Sequence, residues 1–296
     1  MLEILLGAVA LGLLWAIMTL GLYISFRILD AADMSVEGSI ALGGAVAARL
    51  ICSGVHPWIA VLCATVSGLL AGLCTGLLHT KLHIPTLLSG ILTMIALYSV
   101  NLRIMGKSNV PLLRVETVYS PLQRQGLSGT VSSLILGAII VVLVAMGLYW
   151  FFGTQLGSAI RATGNNQNMA RAQGINTSNM IILGLVISNG LVAFSGALIA
   201  QYQAFADVQM GTGSIVIGLA SLIIGEVLFG TRTFKRTLVA VILGAIIYRI
   251  IIALVLKAGM NANDLKLFTA ITVAICLSTP MIKARLNAGK KKTAAR

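Results

Sequence analysis

Residues 157–176 read GSAIRATGNNQNMARAQGIN and lie between two long apolar stretches. The segment is polar, cationic and rich in asparagine. Asn165 is a preferred residue type at a helix start and Gly174 just beyond a helix end, so the sequence predicts a short helix over 166–173. A short polar helix between two apolar segments indicates a surface element that a soluble partner protein binds and moves.

The apolar stretches decide the class of protein. Of the 296 residues, 58% are hydrophobic and 10% are charged, and the mean hydropathy is +0.98. Such a chain has too little polar surface for a water-soluble domain. Long apolar runs recur along it without alternating with polar residues, which argues against strands. The sequence therefore predicts an all-α, polytopic helical membrane protein with a single transmembrane domain over 1–296.

Nine apolar segments are predicted to cross or enter the membrane, and the uncertainty of their limits puts the count between eight and ten. They are 4–26, 38–53, 57–78, 85–105, 131–152, 178–201, 212–229, 237–256 and 265–282. The second segment is short and contains Gly43-Gly44. We therefore expect it to be a broken or re-entrant helix, which is tolerated only where protein surrounds it.

Basic residues orient these segments. Placing 157–176 and the basic tail 283–296 in the cytoplasm puts most of the 21 Lys and Arg on the inner side, as expected in a cytoplasmic membrane. With nine crossings the N-terminus is outside, and it moves inside if the second segment does not cross. The net charge of +13 comes with no basic helix and no aromatic platform, so we predict no nucleic-acid partner.

Several polar side chains fall in or near the apolar segments and are candidates for lining a translocation pathway. Arg249 lies roughly 18 Å along its helix from the inner end, where a charge must face protein or water. A tie to another helix and contact with a solute remain alternative roles for it. The complete candidate set is Tyr98, Asn101, Asn189, Glu226, Tyr248 and Arg249.

Glycines 68, 72 and 76 form a repeated GxxxG pattern on one helix face. Such faces allow close helix packing in membranes. Packing within the chain is the favoured interpretation, and a subunit interface is the alternative. The longest external connection, 106–130, is interpreted either as a solvated loop or as a landing surface for an external partner.

Two further patterns lie near predicted helix ends. Asp33 or Ser35 is expected to cap the helix that follows, and Glu37 suits its positive N-terminal end, with contact to cationic groups of a partner as the alternative. His79 and His83 have the spacing of a metal-ligand pair, but no nearby Cys or carboxylate completes a site, so no metal is predicted.

No nucleotide-binding P-loop, serine–histidine–aspartate set or zinc-protease motif is present in the sequence. We therefore predict no catalytic activity and no cofactor bound by this chain itself. Glu226 is the one clear carboxylate in an apolar segment, and no inverted repeat is evident. Both observations argue against an ion-coupled carrier.

The 157–176 segment resembles the cytoplasmic coupling loop of bacterial ABC-importer permeases of the branched-chain amino acid and ribose permease family. The later sequence GLASLIIGEVLFG, at 218–230, is similar to the same family. The segments at 33–39, 248–249 and 264–267 resemble a subgroup linked to uptake of amino acids, including aromatic ones. The residues that match in the coupling loop are Arg161, Ala162, Gly164, Asn165, Ala170, Gly174 and Ile175.

The resemblance implies an alternating-access permease for a small polar solute, with an amino acid as the implied class. It implies a cytoplasmic subunit that binds ATP, an external substrate-binding protein, a second permease copy, identical or different, and surrounding membrane lipid. The residues implied in coupling to the ATPase are Arg161, Gly164, Asn165, Asn166, Met169, Ala170, Arg171 and Gly174. The alternatives are an autonomous ion-coupled transporter or channel, and a membrane scaffold.

Overall fold

The computed structural model describes residues 2–258 except 114, 125 and 127, together with residues 267, 270, 271 and 274. Most of the described residues are helical, and two short strands form a small ribbon. The helices are α1 (Leu2–Tyr23), α2 (Ser35–Cys52), α3 (Pro57–Thr80), α4 (Thr86–Met105), α5 (Ser120–Gln123), α6 (Gly129–Phe152), α7 (Gln155–Asn165), α8 (Gln167–Ala172), α9 (Thr177–Gln203), α10 (Ser214–Phe229) and α11 (Phe234–Lys257). The strands are β1 (Asn109–Pro111) and β2 (Phe205–Asp207), and a π-helical turn (Ile24–Ile28) extends α1.

Seven helices are long and apolar enough to cross a membrane: α1 with its π-helical turn, α2, α3, α4, α6, α9 and α11. The shorter helix α10, of 16 residues, is also apolar. These eight helices correspond to the first eight predicted segments, which confirms a polytopic helical membrane protein. Most of the ninth predicted segment, 265–282, and all of the tail, 283–296, lie outside the described residues.

The predicted break in the second segment is wrong, because α2 runs without interruption through Gly43 and Gly44. Both glycines serve close packing instead. A Cβ atom on Gly43 would overlap the carbonyl oxygen of Ala193 in α9, and one on Gly44 would lie 2.6 Å from the Met210 Sδ atom. Helices in membranes approach one another at such small residues, so the pair fixes the position of α2.

Helix α9 forms the centre of the bundle and contacts α1, α2 and α3. The GxxxG face of α3 packs against it: a Cβ atom on Gly68 would clash with Asn189, and one on Gly72 would lie 2.8 Å from the Val186 Cα atom. This confirms packing within the chain as the role of that face. On the opposite side, the Ser188 Oγ atom donates a 2.7 Å hydrogen bond to the Gly21 carbonyl of α1.

Part of the connection that follows α4 packs onto the C-terminal end of α9, while most of its described residues are exposed. The Tyr119 hydroxyl donates to the Leu198 carbonyl at 3.2 Å, and the Val118 amide donates to the Gln201 side chain at 2.9 Å. Burial raises the pKa of Tyr119. Within this connection β1 pairs antiparallel with β2, so the argument against strands fails for these few residues.

Candidate coupling surface and translocation site

The 157–176 segment folds as two helices, where the sequence predicted one. Helix α7 was missed, although Gly157, Ile160 and Thr163 follow a helical spacing and are buried on one face. Helix α8 matches the predicted helix, but its cap is Asn166 rather than Asn165: the Asn166 side chain accepts from the Met169 amide at 3.0 Å. Asn165 is the last residue of α7.

Four of the predicted coupling residues form one exposed surface at this end of the bundle. They are Asn165, Asn166, Met169 and Arg171. The Met169 side chain is 41% exposed, which is unusual for a large apolar residue in a polar segment. Gly174 ends the surface in the left-handed conformation, with φ of 80°, as the sequence predicted.

Ala170, Gly164 and Arg161, together with Arg171 itself, hold this surface against the bundle. Ala170 is buried, and a Cβ atom on Gly164 would overlap the carbonyl oxygen of Ile28, so Gly164 permits close contact between α7 and the π-helical turn. The Arg161 guanidinium lies over the Phe234 ring, 5.3 Å from its centroid. The Arg171 Nε atom donates to the Thr177 hydroxyl at 2.9 Å.

Glu226 lies at the same end of the bundle and forms an ion pair with Arg27, with Nε and Oε1 3.1 Å apart. This pair joins the π-helical turn to the end of α10. A cavity of about 880 Å³, which Arg27 lines, lies between the π-helical turn, α7 and the start of α11. Glu226 therefore pairs with Arg27 and not with Arg249, and it lies at the end of the bundle that carries α7 and α8.

Asn189 anchors a buried polar cluster between α9 and the start of α2. Its Nδ2 atom donates to the Asp33 carboxylate at 2.7 Å, and its Oδ1 atom accepts from the hydroxyls of Ser39 at 2.6 Å and Ser35 at 3.1 Å. Asp33 also accepts from the Ser35 amide at 2.8 Å, but the N-cap of α2 is Met34, so the predicted cap at Asp33 or Ser35 is wrong. Burial raises the pKa of Asp33, against the lowering effect of these hydrogen bonds.

This cluster places the beginning of α2 deep in the bundle. Asn189 is twelve residues beyond the start of the 27-residue helix α9, or about 18 Å along it, so α2 begins beside the middle of α9. Asp33 is thus part of the bundle interior, whereas Asp30 and Ala32 in the same connection are exposed.

Glu37 lies in the first turn of α2, as the sequence predicted, and it also contacts the start of a second helix, α10. Its Oε1 atom accepts a 2.9 Å hydrogen bond from the Gly213 amide, at the residue that precedes α10. The carboxylate thus lies at the positive end of α10, which favours negative charge. Sequence analysis missed this role, because 176 residues separate the two partners and no local pattern connects them.

Glu37 also lines a cavity of about 450 Å³ between α2, α4 and the connection before α10. Two predicted pathway residues, Tyr98 and Asn101, line the same cavity. The Tyr98 side chain is 50% exposed, whereas Asn101 is only 1% exposed. The Asn101 Nδ2 atom donates to the Gly38 carbonyl at 3.2 Å, and its Oδ1 atom has no hydrogen-bond partner in the described part of the chain.

Tyr248 and Arg249 do not line this cavity. Both lie on α11, where Tyr248 is buried and the Arg249 guanidinium stacks on the Trp15 ring of α1, 4.1 Å from its centroid. The Arg249 Nε atom has no hydrogen-bond acceptor among the described residues. The observed contact fits the structural alternative, in which this cation ties two helices together.

No group of three potential metal ligands occurs within the described residues. The His79 Nδ1 atom lies 2.8 Å from the Ile84 carbonyl oxygen, so this ring is engaged in fixing the α3–α4 connection.

Comparison with known proteins identifies the family. The family model described as branched-chain amino acid transport system / permease component matches residues 4–277. A tyrosine transport system permease protein of Clostridioides difficile is 43% identical over 285 residues, covering 96% of this chain and 92% of the relative. An inner membrane ABC transporter permease protein of Escherichia coli is 26% identical over 247 residues, covering 82% and 71%.

A solved structure has the same overall fold. It is described as an inward-facing conformation of an ABC transporter assigned to the metal-chelate type, with a TM-score of 0.50 and 14% identity over 95% of this chain and 85% of that chain. The family model and the relatives confirm the resemblance seen in the sequence. This chain belongs to the family of permease components of branched-chain amino acid transport systems, and it is a transport permease of the ABC class rather than an enzyme.

Proposed function

We propose that this permease imports an amino acid, with an aromatic side chain as the preferred class, and that α8 receives the movement of a separate ATPase. The similarity to a tyrosine transport system permease protein supports the substrate class. The exposed surface on α8 supports the coupling role, and it is the observation that carries the proposal. We propose that the ATPase, rather than this chain, binds ATP.

The coupling surface has the composition of a docking site rather than of a solvated loop. Met169 supplies an exposed apolar group, and the uncharged amides of Asn165 and Asn166 surround it. An apolar anchor within a polar rim is typical of protein interfaces. Because Ala170 and Gly164 pack tightly beneath this surface, a push on α8 would pass through α7 to the inner ends of α1 and α9.

We propose that a second permease copy, identical or different, covers the open side of the cavity that Glu37 lines. Tyr98 lies at the open side of this cavity and is half exposed. Most of the apolar stretch of α4 is likewise not buried within this chain. A carboxylate and an amide that opened directly to lipid would be costly. Two such cavities facing each other would form a pathway on the axis between the copies.

The proposed assembly lies in the cytoplasmic membrane, with α8 on the inner side and an external binding protein on the side of the β1–β2 ribbon. The alternation of the eight apolar helices places the start of α1 on the ribbon side and the start of α9 on the α8 side. We also propose a cytoplasmic C-terminus, on the basis of the basic residues at 283–296.

The test is reconstitution of the permease with its ATPase and binding protein in proteoliposomes, followed by uptake of L-tyrosine. Met169→Glu should reduce ATP-driven uptake about tenfold or more, because a charge would enter an apolar interface. Gln155→Glu, an exposed change at the start of α7, should leave uptake unchanged. Arg161→Ala and Gly174→Ala should lower uptake per ATP hydrolysed while the complex still assembles.

Full uptake by the Met169→Glu variant would contradict the coupling role of α8. Solute flux through the purified permease alone, without the ATPase, would contradict the proposed function and favour an autonomous transporter or channel.

A further inference from the structure

The cavity between α2 and α4 is lined by two residues with hydrogen-bond acceptors, and both residues lie in membrane-spanning helices. Glu37 lines it, and no Lys or Arg in the described part of the chain forms an ion pair with this carboxylate. The Gly213 and Ile215 amides at the start of α10 hold the side chain in place but bring no full charge. A carboxylate at membrane depth normally has a cationic partner or a functional role.

Asn101 gives the cavity a second acceptor, independent of Glu37. The Asn101 Nδ2 atom donates to the Gly38 carbonyl. This hydrogen bond fixes the orientation of the amide and leaves its Oδ1 atom as an acceptor. That oxygen is buried and has no partner among the described residues. An unsatisfied buried polar atom costs about 1–3 kcal/mol, which the site recovers when a donor binds there.

The rest of the lining fits an organic ligand better than a bare metal ion. Ala41, Met94, Ile95 and Val208 supply apolar surface, and Tyr98 supplies an aromatic ring at the mouth. The volume of about 450 Å³ is in the range of small-molecule sites, about 300–1,000 Å³. One charged acceptor, one amide oxygen and an apolar wall match a ligand with a protonated amine and a large apolar or aromatic group.

We propose that this cavity is a substrate-binding site within the membrane, where Glu37 and Asn101 bind the ammonium group of an amino acid and Tyr98 contacts its side chain. The proposal rests on the function proposed above and adds a selectivity step inside the permease itself. Binding there is expected to be weak, because a site along a pathway must release what it binds.

The variant Glu37→Gln removes the charge. Its amide oxygen can still accept from the Gly213 amide, while the second acceptor oxygen, which faces the Ile215 amide, is replaced by a donor. Binding is measured by saturation-transfer NMR on the complex of permease and ATPase without the binding protein. The probes are L-tyrosine, tyramine, which lacks the carboxylate, and desamino-tyrosine, which lacks the amine.

The wild type should bind L-tyrosine and tyramine, and Glu37→Gln should weaken both about tenfold or more, because a charge-assisted hydrogen bond is lost. Desamino-tyrosine should bind wild type and variant equally weakly. Glu3→Gln, which removes an exposed carboxylate near the start of α1, is the matched control and should bind all three probes as the wild type does. Tyr98→Ala should weaken L-tyrosine more than L-alanine.

Equal binding of L-tyrosine by wild type and Glu37→Gln would overturn the proposal, as would a wild type that binds neither L-tyrosine nor tyramine. Sodium binding that depends on Glu37 while the amine probes are unaffected would also overturn it, in favour of a cation site. These outcomes are separate from failure of the proposed function, which would appear as absence of ATP-driven uptake by the complete wild-type transporter.

Discussion

The Asn189 Nδ2 atom lies 2.7 Å from the Asp33 carboxylate, and this hydrogen bond ties the start of α2 to the middle of α9. Both residues are buried, and Asp33 has no cationic partner among the described ion pairs. The carboxylate is held by an amide, a hydroxyl and a backbone N–H, which together replace water around a charge. Several predictions about folding and coupling depend on this geometry and on the packing beside it.

Asp33→Ala should destabilise the permease strongly. The Ser35 amide and the Asn189 side chain would lose their acceptor, at about 1–3 kcal/mol for each buried donor. Asp30→Ala, in an exposed position of the same connection, is the comparison and should cost much less. Thermal unfolding in detergent, followed by the loss of monodisperse protein, measures both. Equal midpoints for the two variants would contradict the structural role of Asp33.

The raised pKa of Asp33 predicts a pH dependence. A carboxyl whose folded pKa lies above its ordinary value of 3.8 binds its proton more tightly in the folded state. Its contribution to stability is complete below that ordinary value and is lost as the pH rises through the folded pKa. The unfolding midpoint of the wild type should therefore fall, relative to Asp33→Asn, as the pH increases from about 4 to about 8.

Asp30→Asn is the control for that series, because it removes an exposed carboxyl from a left-handed position that asparagine also tolerates. It should leave the pH dependence of the wild type unchanged. A pH profile shared by the wild type and Asp33→Asn would show that another group is responsible.

Gly164→Ala and Gly174→Ala should separate packing from coupling. A methyl group at 164 would overlap the Ile28 carbonyl, so we expect a loss of about 1–3 kcal/mol, as for overpacked sites. A methyl group at 174 meets open space and is disfavoured only by the positive φ, at about 1 kcal/mol. The yield and unfolding midpoint should drop for Gly164→Ala much more than for Gly174→Ala. The reverse order would contradict the observed packing of α7.

Removing the Arg27–Glu226 ion pair should have a small effect on stability. The Arg27 side chain is 56% exposed, and exposed pairs contribute about 0–1 kcal/mol. In a double-mutant cycle of Arg27→Gln and Glu226→Gln, the coupling energy should be below about 1 kcal/mol and should shrink with added salt. A larger, salt-insensitive coupling would indicate that the two residues are shielded by another part of the assembly.

Local patterns in the amino-acid sequence predict a helical membrane protein, the positions of its first eight apolar helices, and the limits of α8 to within a residue. Apolar length, basic residues and helix-end preferences are local properties, so they are readable along the chain. The sequence also suggested Tyr98 and Asn101 as pathway residues, because polar groups at membrane depth are costly and stand out.

Which polar groups contact one another depends on the packing of the helices. This packing joined Glu37 to Gly213, Asp33 to Asn189 and Glu226 to Arg27, and it separated Arg249 from the cavity by stacking it on Trp15. Gly43 and Gly44 were expected to break α2, but in the structure they allow other parts of the chain to pack closely against it. Each of these pairings joins distant parts of the chain, and they are fixed by how the helices pack rather than by any pattern of neighbouring residues.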